Sequence, residues 1–336
     1  MKKLAILGLG HIGQYVLETL SNDKNFSVQG YDLTTGHDLS DEKVLRSIIA
    51  DVHGVLASTP FFLNTKIALI CNELGKDYFD LTESVDVTDA VKDLTNARFV
   101  TQCGLAPGMV SIIANHLASK FNSVDSIQIR VGALPQNSSN HMGYYKTWNT
   151  EGLINEYIHP CPAVRNQQKV FLEPLTELET ISMEGQILEA ATTSGGLGSM
   201  AESWTGRARS VDYKTLRYPG HWDKMQFLKN DLGLAENFQA YVNIFNKSVP
   251  QTEQDYVYIL INVSGYIDGK FKIHQYSRRI ESTDSVTAIQ LTTGQGVMAV
   301  LDVWNQGKMD DLKGWVRVED LDYDSIWASP YSSCYQ

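Results

Sequence analysis

The first thirty-two residues constrain this chain most. An apolar run, Leu4-Ala5-Ile6-Leu7, meets Gly8-Leu9-Gly10-His11-Ile12-Gly13. An amphipathic segment from Gln14 to Leu20 then leads to a second short strand pattern, Val28 to Tyr31, that stops at Asp32. The glycines differ in mechanical role, since Gly8 allows the tight turn, Gly10 lets backbone approach a pyrophosphate, and Gly13 lets helix and strand pack closely. Backbone N–H groups at the new helix start face the phosphates, where the helix dipole favours negative charge. Glycines at this spacing between a strand and a helix, with an acid about 20 residues on, form the dinucleotide fingerprint. The blander alternative is a tight turn and nothing more, but turn chemistry does not account for Asp32. A carboxylate there accepts hydrogen bonds from a ribose hydroxyl and repels a 2′-phosphate. Thr34-Thr35-Gly36-His37 follows, with no Arg or Lys before Lys43, so the expected cofactor is NAD(H) rather than NADP(H).

A length of 336 residues with 43% hydrophobic content holds one large or two ordinary globular domains. A net charge of −11 argues against nucleic acid or an anionic membrane as the main partner. No apolar run approaches the roughly 20 residues that span a bilayer, and the amino terminus lacks signal-peptide organisation, so a cytoplasmic protein is expected. Cys71, Cys103, Cys161 and Cys334 are scattered without a C-x-x-C, and the eight histidines do not cluster at ligand spacing. Free thiols and no metal are expected.

Along the chain, helical spacing (Val44, Leu45, Ile48, Ile49) precedes a strand at 54–58, and Ser58-Thr59-Pro60 ends it. A helix over 64–75 with Gly75 as its cap, a strand over 77–83, a helix over 87–94 and a strand near 98–101 follow. Strands alternating with helices make parallel βαβ units. Ligands in such a sheet lie beyond the strands' carboxyl ends. The residues expected to line the cofactor are therefore Gly8, Gly10, His11, Ile12, Gly13 and Asp32, then Ser58, Thr59 and Pro60, and after the next strands Thr82 and Gly104. Cys103-Gly104-Leu105-Ala106-Pro107-Gly108 leads into an apolar helix, Met109 to Leu117, with Pro107 just inside its start. That turn is either a well-capped helix start or a border of the nicotinamide and substrate.

From Asp125 the pattern changes. Ser126 to Gly132 alternates as a half-solvated antiparallel strand does. Later strands are expected at 186–191, 213–218, 256–265 and 271–276, and helices at 150–157, 197–204 and 221–228. Ser285 to Trp304 reads as a long apolar helix interrupted at Thr292-Thr293-Gly294-Gln295-Gly296.

These blocks resemble the saccharopine dehydrogenase-like oxidoreductases, and within them lysine 6-dehydrogenase. The carrying motifs are the glycine fingerprint, Cys103 to Met109, Val131 to Asn137, Thr147 to Tyr157 and Lys214 to His221. The resemblance implies an α/β fold: a Rossmann doubly wound parallel sheet (1–122 plus about 283–336) with an inserted α+β substrate-binding and dimerisation domain (123–282). It also implies NAD, an amino acid substrate and a homodimer or higher homo-oligomer. Saccharopine reductases generally carry an aspartate within a Gly-Leu-Asp-Pro-Gly block; this chain has Ala106 there, which fits the lysine-acting branch better.

Oxidising an amine carbon needs a hydride acceptor, a base for the ammonium and a surface for the substrate's other charges. Lysine's ε-ammonium, with a pKa of about 10.4, must lose a proton before hydride leaves. Arg217 is the expected carboxylate partner, since its guanidinium fork binds carboxylate bidentately, with a salt bridge as the alternative. His221, beginning a helix after Pro219-Gly220, is the expected base, with a packed histidine as the alternative. Asp80 and Glu83 at a strand tip are candidates to hold ammonium groups, or else caps and solvated acids. Tyr145, Lys146 and Trp148 are candidates for the wall over the nicotinamide, Lys146 with a catalytic part, and Cys103 for substrate contact, unless they are core or surface residues. Three activities fit: oxidative deamination of the lysine ε-amine to the semialdehyde or cyclic imine, formation of a secondary amine as saccharopine or carboxyspermidine dehydrogenases do, or non-catalytic NAD sensing or assembly.

Overall fold

The amino-terminal apolar run forms β1 (Lys3–Leu7), buried from Leu4 onward as a strand covered on both faces must be. In the computed structural model, which describes residues 1–138 and 140–336, the alternation continues regularly. It runs through α1 (His11–Ser21), β2 (Ser27–Tyr31), α2 (Glu42–Ala50), β3 (Gly54–Ala57) and α3 (Phe61–Leu74). Next come β4 (Asp77–Asp80), α4 (Val85–Val91), β5 (Arg98–Val100) and α5 (Met109–Ser119). Then follow β6 (Ser123–Pro135), α6 (Thr150–Ile158), β7 (Cys161–Arg165), β8 (Gln168–Leu172), β9 (Glu179–Met183) and β10 (Gln186–Thr192). The chain proceeds through α7 (Met200–Ser203), β11 (Ala208–Arg217), α8 (His221–Asn230), α9 (Phe238–Ser248), β12 (Asp255–Ile267) and β13 (Lys270–Glu281). It ends with α10 (Ala288–Asn305), β14 (Gly314–Val316) and α11 (Tyr323–Trp327).

Two units result: Met1–Ile112 with Thr292–Gln336, and Ile113–Leu291. Both changes of unit fall inside helices, α5 and α10, which is why a reading by sequence pattern sets them at 122 and 283 instead.

The first unit holds six parallel strands in the order β14-β5-β4-β3-β1-β2. Because β2 lies on one side of β1 and β3 on the other, the carboxyl ends of β1 and β3 flank the switch point where open sheets bind ligands. Leu7, Val55, Ala57, Ile67, Tyr78 and Phe99 form part of its apolar core. Two expectations are corrected here. Pro107 is not inside a helix; it follows a cis peptide bond in the turn before α5, which starts at Met109. Nor is α10 interrupted, for it runs unbroken over 18 residues. Its glycines serve packing: a Cβ on Gly294 would stand 2.5 Å from Tyr15 Cδ1, and one on Gly296 would stand 2.4 Å from the Gly104 carbonyl oxygen.

The second unit holds an eight-stranded mixed sheet, β13-β12-β6-β11-β10-β9, with β7 joining β11 and β8 joining β7. β6 is central rather than half-solvated: it pairs parallel with β11 and antiparallel with β12, and Ile129 to Pro135 are buried. A tight hairpin turn at Asp268-Gly269, both at positive φ, joins β12 to β13.

Candidate functional site

In the first unit the fingerprint forms a cradle whose three glycines differ in what they face. Gly8 has φ +90°, and a Cβ there would stand 2.5 Å from the Ser58 carbonyl oxygen, so the ends of β1 and β3 close together. A Cβ on Gly13 would lie 1.9 Å from the Gly8 carbonyl oxygen. Gly10 is the opposite case: an added Cβ meets nothing within 4 Å. It is the N-cap of α1, in extended conformation, with no side-chain cap and no acid in the first turn. Packing within the protein therefore demands glycine at 8 and 13, whereas bare backbone at 10 suits an external anion at a helix N-terminus. His11 is exposed and Ile12 half-buried beside it.

Asp32 follows β2 and braces the same loop. Its Oδ2 accepts from the Leu9 N–H at 3.1 Å, and its Oδ1 from the Thr34 N–H at 2.9 Å and the Thr34 hydroxyl at 3.0 Å. The backbone donors of Thr34 and Leu9 hold this carboxylate below its ordinary range. At the end of β3, Ser58 and Thr59 are half-buried and Pro60 is exposed, with Thr59 Oγ1 donating to Asn64 Oδ1 at 2.7 Å. The residues present fit a dinucleotide. Leu33, Phe61 and Phe62, which flank Asp32 and Pro60 in the sequence, are 72%, 53% and 68% exposed.

The tips of β4 and β5 are built differently. Asp80 is wholly buried; it accepts from the Tyr78 hydroxyl at 2.9 Å and from the backbone N–H groups of Gln102 at 2.9 Å and Thr82 at 3.1 Å. Burial pushes its carboxyl up to about 7. Cys103 is sealed beside it, its N–H donating to the Asp80 carbonyl and its thiol to the Val100 carbonyl at 3.3 Å. Thr82 is buried, with Oγ1 accepting from the Ser84 N–H, and Glu83 is half-buried. The Gly104 carbonyl oxygen lies where a Cβ on Gly108 would stand 2.1 Å away. Asp80 and Cys103 thus knit two strand ends together, with their polar atoms engaged internally.

In the second unit, Arg217 ends β11 and is 2% exposed. Its Nε donates to Tyr157 Oη at 3.1 Å and its Nη1 to the Leu216 carbonyl at 3.0 Å. The guanidinium lies over the Tyr144 and Trp222 rings, 5.1 and 6.0 Å from their centroids. Gly220, at φ +82°, turns the chain so that His221 opens α8 facing inward. His221 Nδ1 lies 2.9 Å from the Met142 carbonyl oxygen, which can only accept, so Nδ1 carries the hydrogen. Nε2 then accepts from Tyr157 Oη at 3.1 Å. Burial first, and the Arg217 charge second, bring the imidazole down to about 3, so it is neutral with both nitrogens engaged.

Glu156 joins this group. It is buried, and burial pushes its carboxyl up to about 8 although Arg217 pulls it down. Sequence reasoning read Glu156 and Tyr157 as part of a helix motif; their signal was a carboxylate and a phenol beside Leu153 and Ile154 on a buried helix face. Trp148 packs on α6, where a Cβ on Gly152 would stand 2.5 Å from its Cζ3, and it borders the apolar cluster of Tyr144, Tyr157 and Trp222. Tyr145 is half-buried, while the Lys146 ammonium donates to the Asn246 carbonyl at the end of α9. The structure places Arg217 and His221 on the same Tyr157 hydroxyl and turns Lys146 to a helix terminus.

Among the described residues no group of three or more His, Cys, Asp or Glu is placed to hold a metal ion, and no helix is long and apolar enough to cross a membrane. All four cysteines are free thiols.

The profile of the saccharopine dehydrogenase C-terminal domain matches residues 104–332. The mitochondrial alpha-aminoadipic semialdehyde synthase of Mus musculus is 23% identical over 299 residues, covering 78% of this chain and 31% of that protein. The chain therefore spans about a third of the length of its curated relatives. Apo saccharopine dehydrogenase (L-Glu forming) from Saccharomyces cerevisiae superposes with a TM-score of 0.78 at 13% identity, over 97% of this chain and 96% of that one. DAP dehydrogenase of C. glutamicum, in complex with DAP, gives 0.50 at 10% identity over 98% and 97%. These structural likenesses show the fold, and the profile match spans more than half of the sequence: the chain belongs to the saccharopine dehydrogenase family.

Proposed function

We propose that this protein is an NAD-dependent oxidoreductase that takes hydride from a carbon bearing an amino acid's nitrogen. The observation that carries the reading is the open helix start at Gly10, left bare where no packing requires it. Asp32 supports NAD over NADP, because an ionised carboxylate accepts from a ribose hydroxyl and repels a phosphate. When bound, the nicotinamide supplies the hydride acceptor. The protein's own residues bind and orient the substrate. Arg217 offers its guanidinium to a substrate carboxylate, and Tyr157 and His221 hold that guanidinium in place. His221, expected as the base, is on this reading a positioning residue, since both of its nitrogens are already engaged.

The preferred donor is the ε-amine of lysine, leaving the semialdehyde or its cyclic imine after hydrolysis or capture by the α-amine. Ala106 favours this choice, because it stands where saccharopine reductases generally carry an aspartate. A second reading, oxidation of a secondary amine such as saccharopine, is supported by the likeness to the yeast saccharopine dehydrogenase. Initial rates of NAD reduction with lysine and with saccharopine, followed by absorbance of the reduced cofactor, separate the two. Tight NADH binding with no hydride transfer from any amino acid would overturn both and leave a nucleotide sensor.

A further inference from the structure

Buried acids in this protein have partners. Asp80 accepts three hydrogen bonds, Asp212 pairs with Arg130, Asp255 takes the N–H groups of Ala288 and Ile289, and Asp302 accepts from Gln306 and Ser329. Glu156, 8% exposed, is the exception: among the described residues no donor and no ion-pair partner reaches its carboxylate. A carboxylate is costly to bury unpaired, and such a group in a native structure calls for an explanation. The charge that acts on it is Arg217 of β11, itself buried and not in ion-pair contact with it. Arg217 uses Nε on Tyr157 and Nη1 on the Ala133 and Leu216 carbonyls, while Nη2 donates to none of the described residues. One small region of the second unit therefore holds a buried cation and a buried anion, each with an unfilled position.

We infer that Glu156 and Arg217 form a receptor for the α-amino acid group, with the ligand's carboxylate on Arg217 Nη2 and its α-ammonium on Glu156. The inference rests on the reading of Arg217 given above and adds the second charge. It gives the carboxylate a use: an ammonium ion arriving beside a buried carboxylate that no donor among the described residues reaches makes a strong charge-assisted hydrogen bond. It also predicts proton traffic. With its carboxyl at about 8, free Glu156 is mostly protonated at neutral pH, and the approaching ammonium favours the ionised form, so the carboxyl proton leaves to solvent on binding. The other groups acting with Glu156 are Tyr144, Tyr157 and Cys161, each held neutral because burial raises it, and the constant positive charge of Arg217.

The test uses the full chain saturated with NADH and two probes that differ in the α-ammonium alone, L-norleucine and hexanoate. Isothermal titration at about pH 7, in two buffers of different ionisation enthalpy, reads affinity and proton release together. Norleucine is expected to bind about 10- to 100-fold tighter than hexanoate, the scale of a hydrogen bond to a charged group, and to release close to one proton. Glu156→Gln should abolish both the preference and the proton release while hexanoate binding is unchanged. Equal affinity for the two probes, no proton release from wild type, or a preference that survives Glu156→Gln would overturn the inference. Should the variant not fold, proton release by the wild type decides alone. Lysine turnover with NAD is measured separately: turnover without norleucine preference removes this inference and keeps the function, and the reverse result does the opposite.

Discussion

Arg217 Nε donates to Tyr157 Oη at 3.1 Å, and both side chains are buried. Because Tyr157 passes its own hydrogen to His221, one hydroxyl satisfies a cationic donor and a neutral acceptor at once. Tyr157→Phe leaves the Nε–H and the His221 Nε2 unpaired inside the protein. The expected cost is about 1–3 kcal/mol of stability, with KM for a carboxylate substrate raised on the order of 10-fold as the guanidinium loses its orientation. Urea denaturation and initial rates on the same variant check the two parts.

Gly10 and Gly13 should respond oppositely to alanine. A Cβ at 13 collides with the Gly8 carbonyl, so Gly13→Ala must open the β1–α1 turn and lower the melting temperature. A Cβ at 10 meets open space, so Gly10→Ala should melt as wild type does yet lose NADH affinity on the order of 10-fold or more, because the methyl stands where a phosphate approaches. NADH fluorescence titration beside thermal melts distinguishes them, and wild-type affinity in Gly10→Ala would move the cofactor elsewhere.

What was legible in the sequence was what is local. β1, the glycine loop, α1 and Asp32 lie within one βαβ unit, and each residue there is set by its neighbours in the chain. β14 was not legible, since three residues, Gly314–Val316, become a strand only by pairing with β5. Gly294 and Gly296 read as helix breakers, yet close contact with Tyr15 and Gly104 outweighs their low propensity. In the proposed substrate site, Arg217 and His221 were candidates by chemistry and spacing. Their burial was not legible, and burial is what takes His221 from a titrating base to a neutral, doubly bonded ring. Glu156 stayed hidden because a carboxylate in a helix is ordinarily a solvated one.

Asp32 should set cofactor choice. Its charge is stabilised by the Thr34 and Leu9 donors, so a 2′-phosphate nearby meets a full negative charge. Asp32→Asn keeps the size and one acceptor while removing the charge. The ratio of kcat/KM for NAD over NADP is expected to fall on the order of 10- to 100-fold, the cost of a like-charge pair. A wild-type preference for NADP would overturn the assignment.

His221 and Asp80 should give stability opposite slopes with pH. The imidazole sits at about 3 in the folded chain against about 6.5 when exposed, so below 6.5 the unfolded chain takes up a proton that the folded one refuses. Stability from this group is therefore present above 6.5 and lost as pH falls toward 3. Asp80 runs the other way: at about 7 folded against 3.8 ordinarily, the folded chain binds the extra proton between those values. Its contribution is present below 3.8 and lost as pH rises through 7. Asp80→Asn keeps acceptors for the Thr82 and Gln102 N–H groups and turns an amide toward Tyr78, so it should fold. Urea midpoints measured from pH 4 to 8 are expected to flatten on the neutral side in Asp80→Asn and on the acid side in His221→Gln. Curves parallel to wild type would show that neither group changes its proton affinity on folding, and the buried, neutral His221 on which the orientation of Arg217 depends would have to be abandoned.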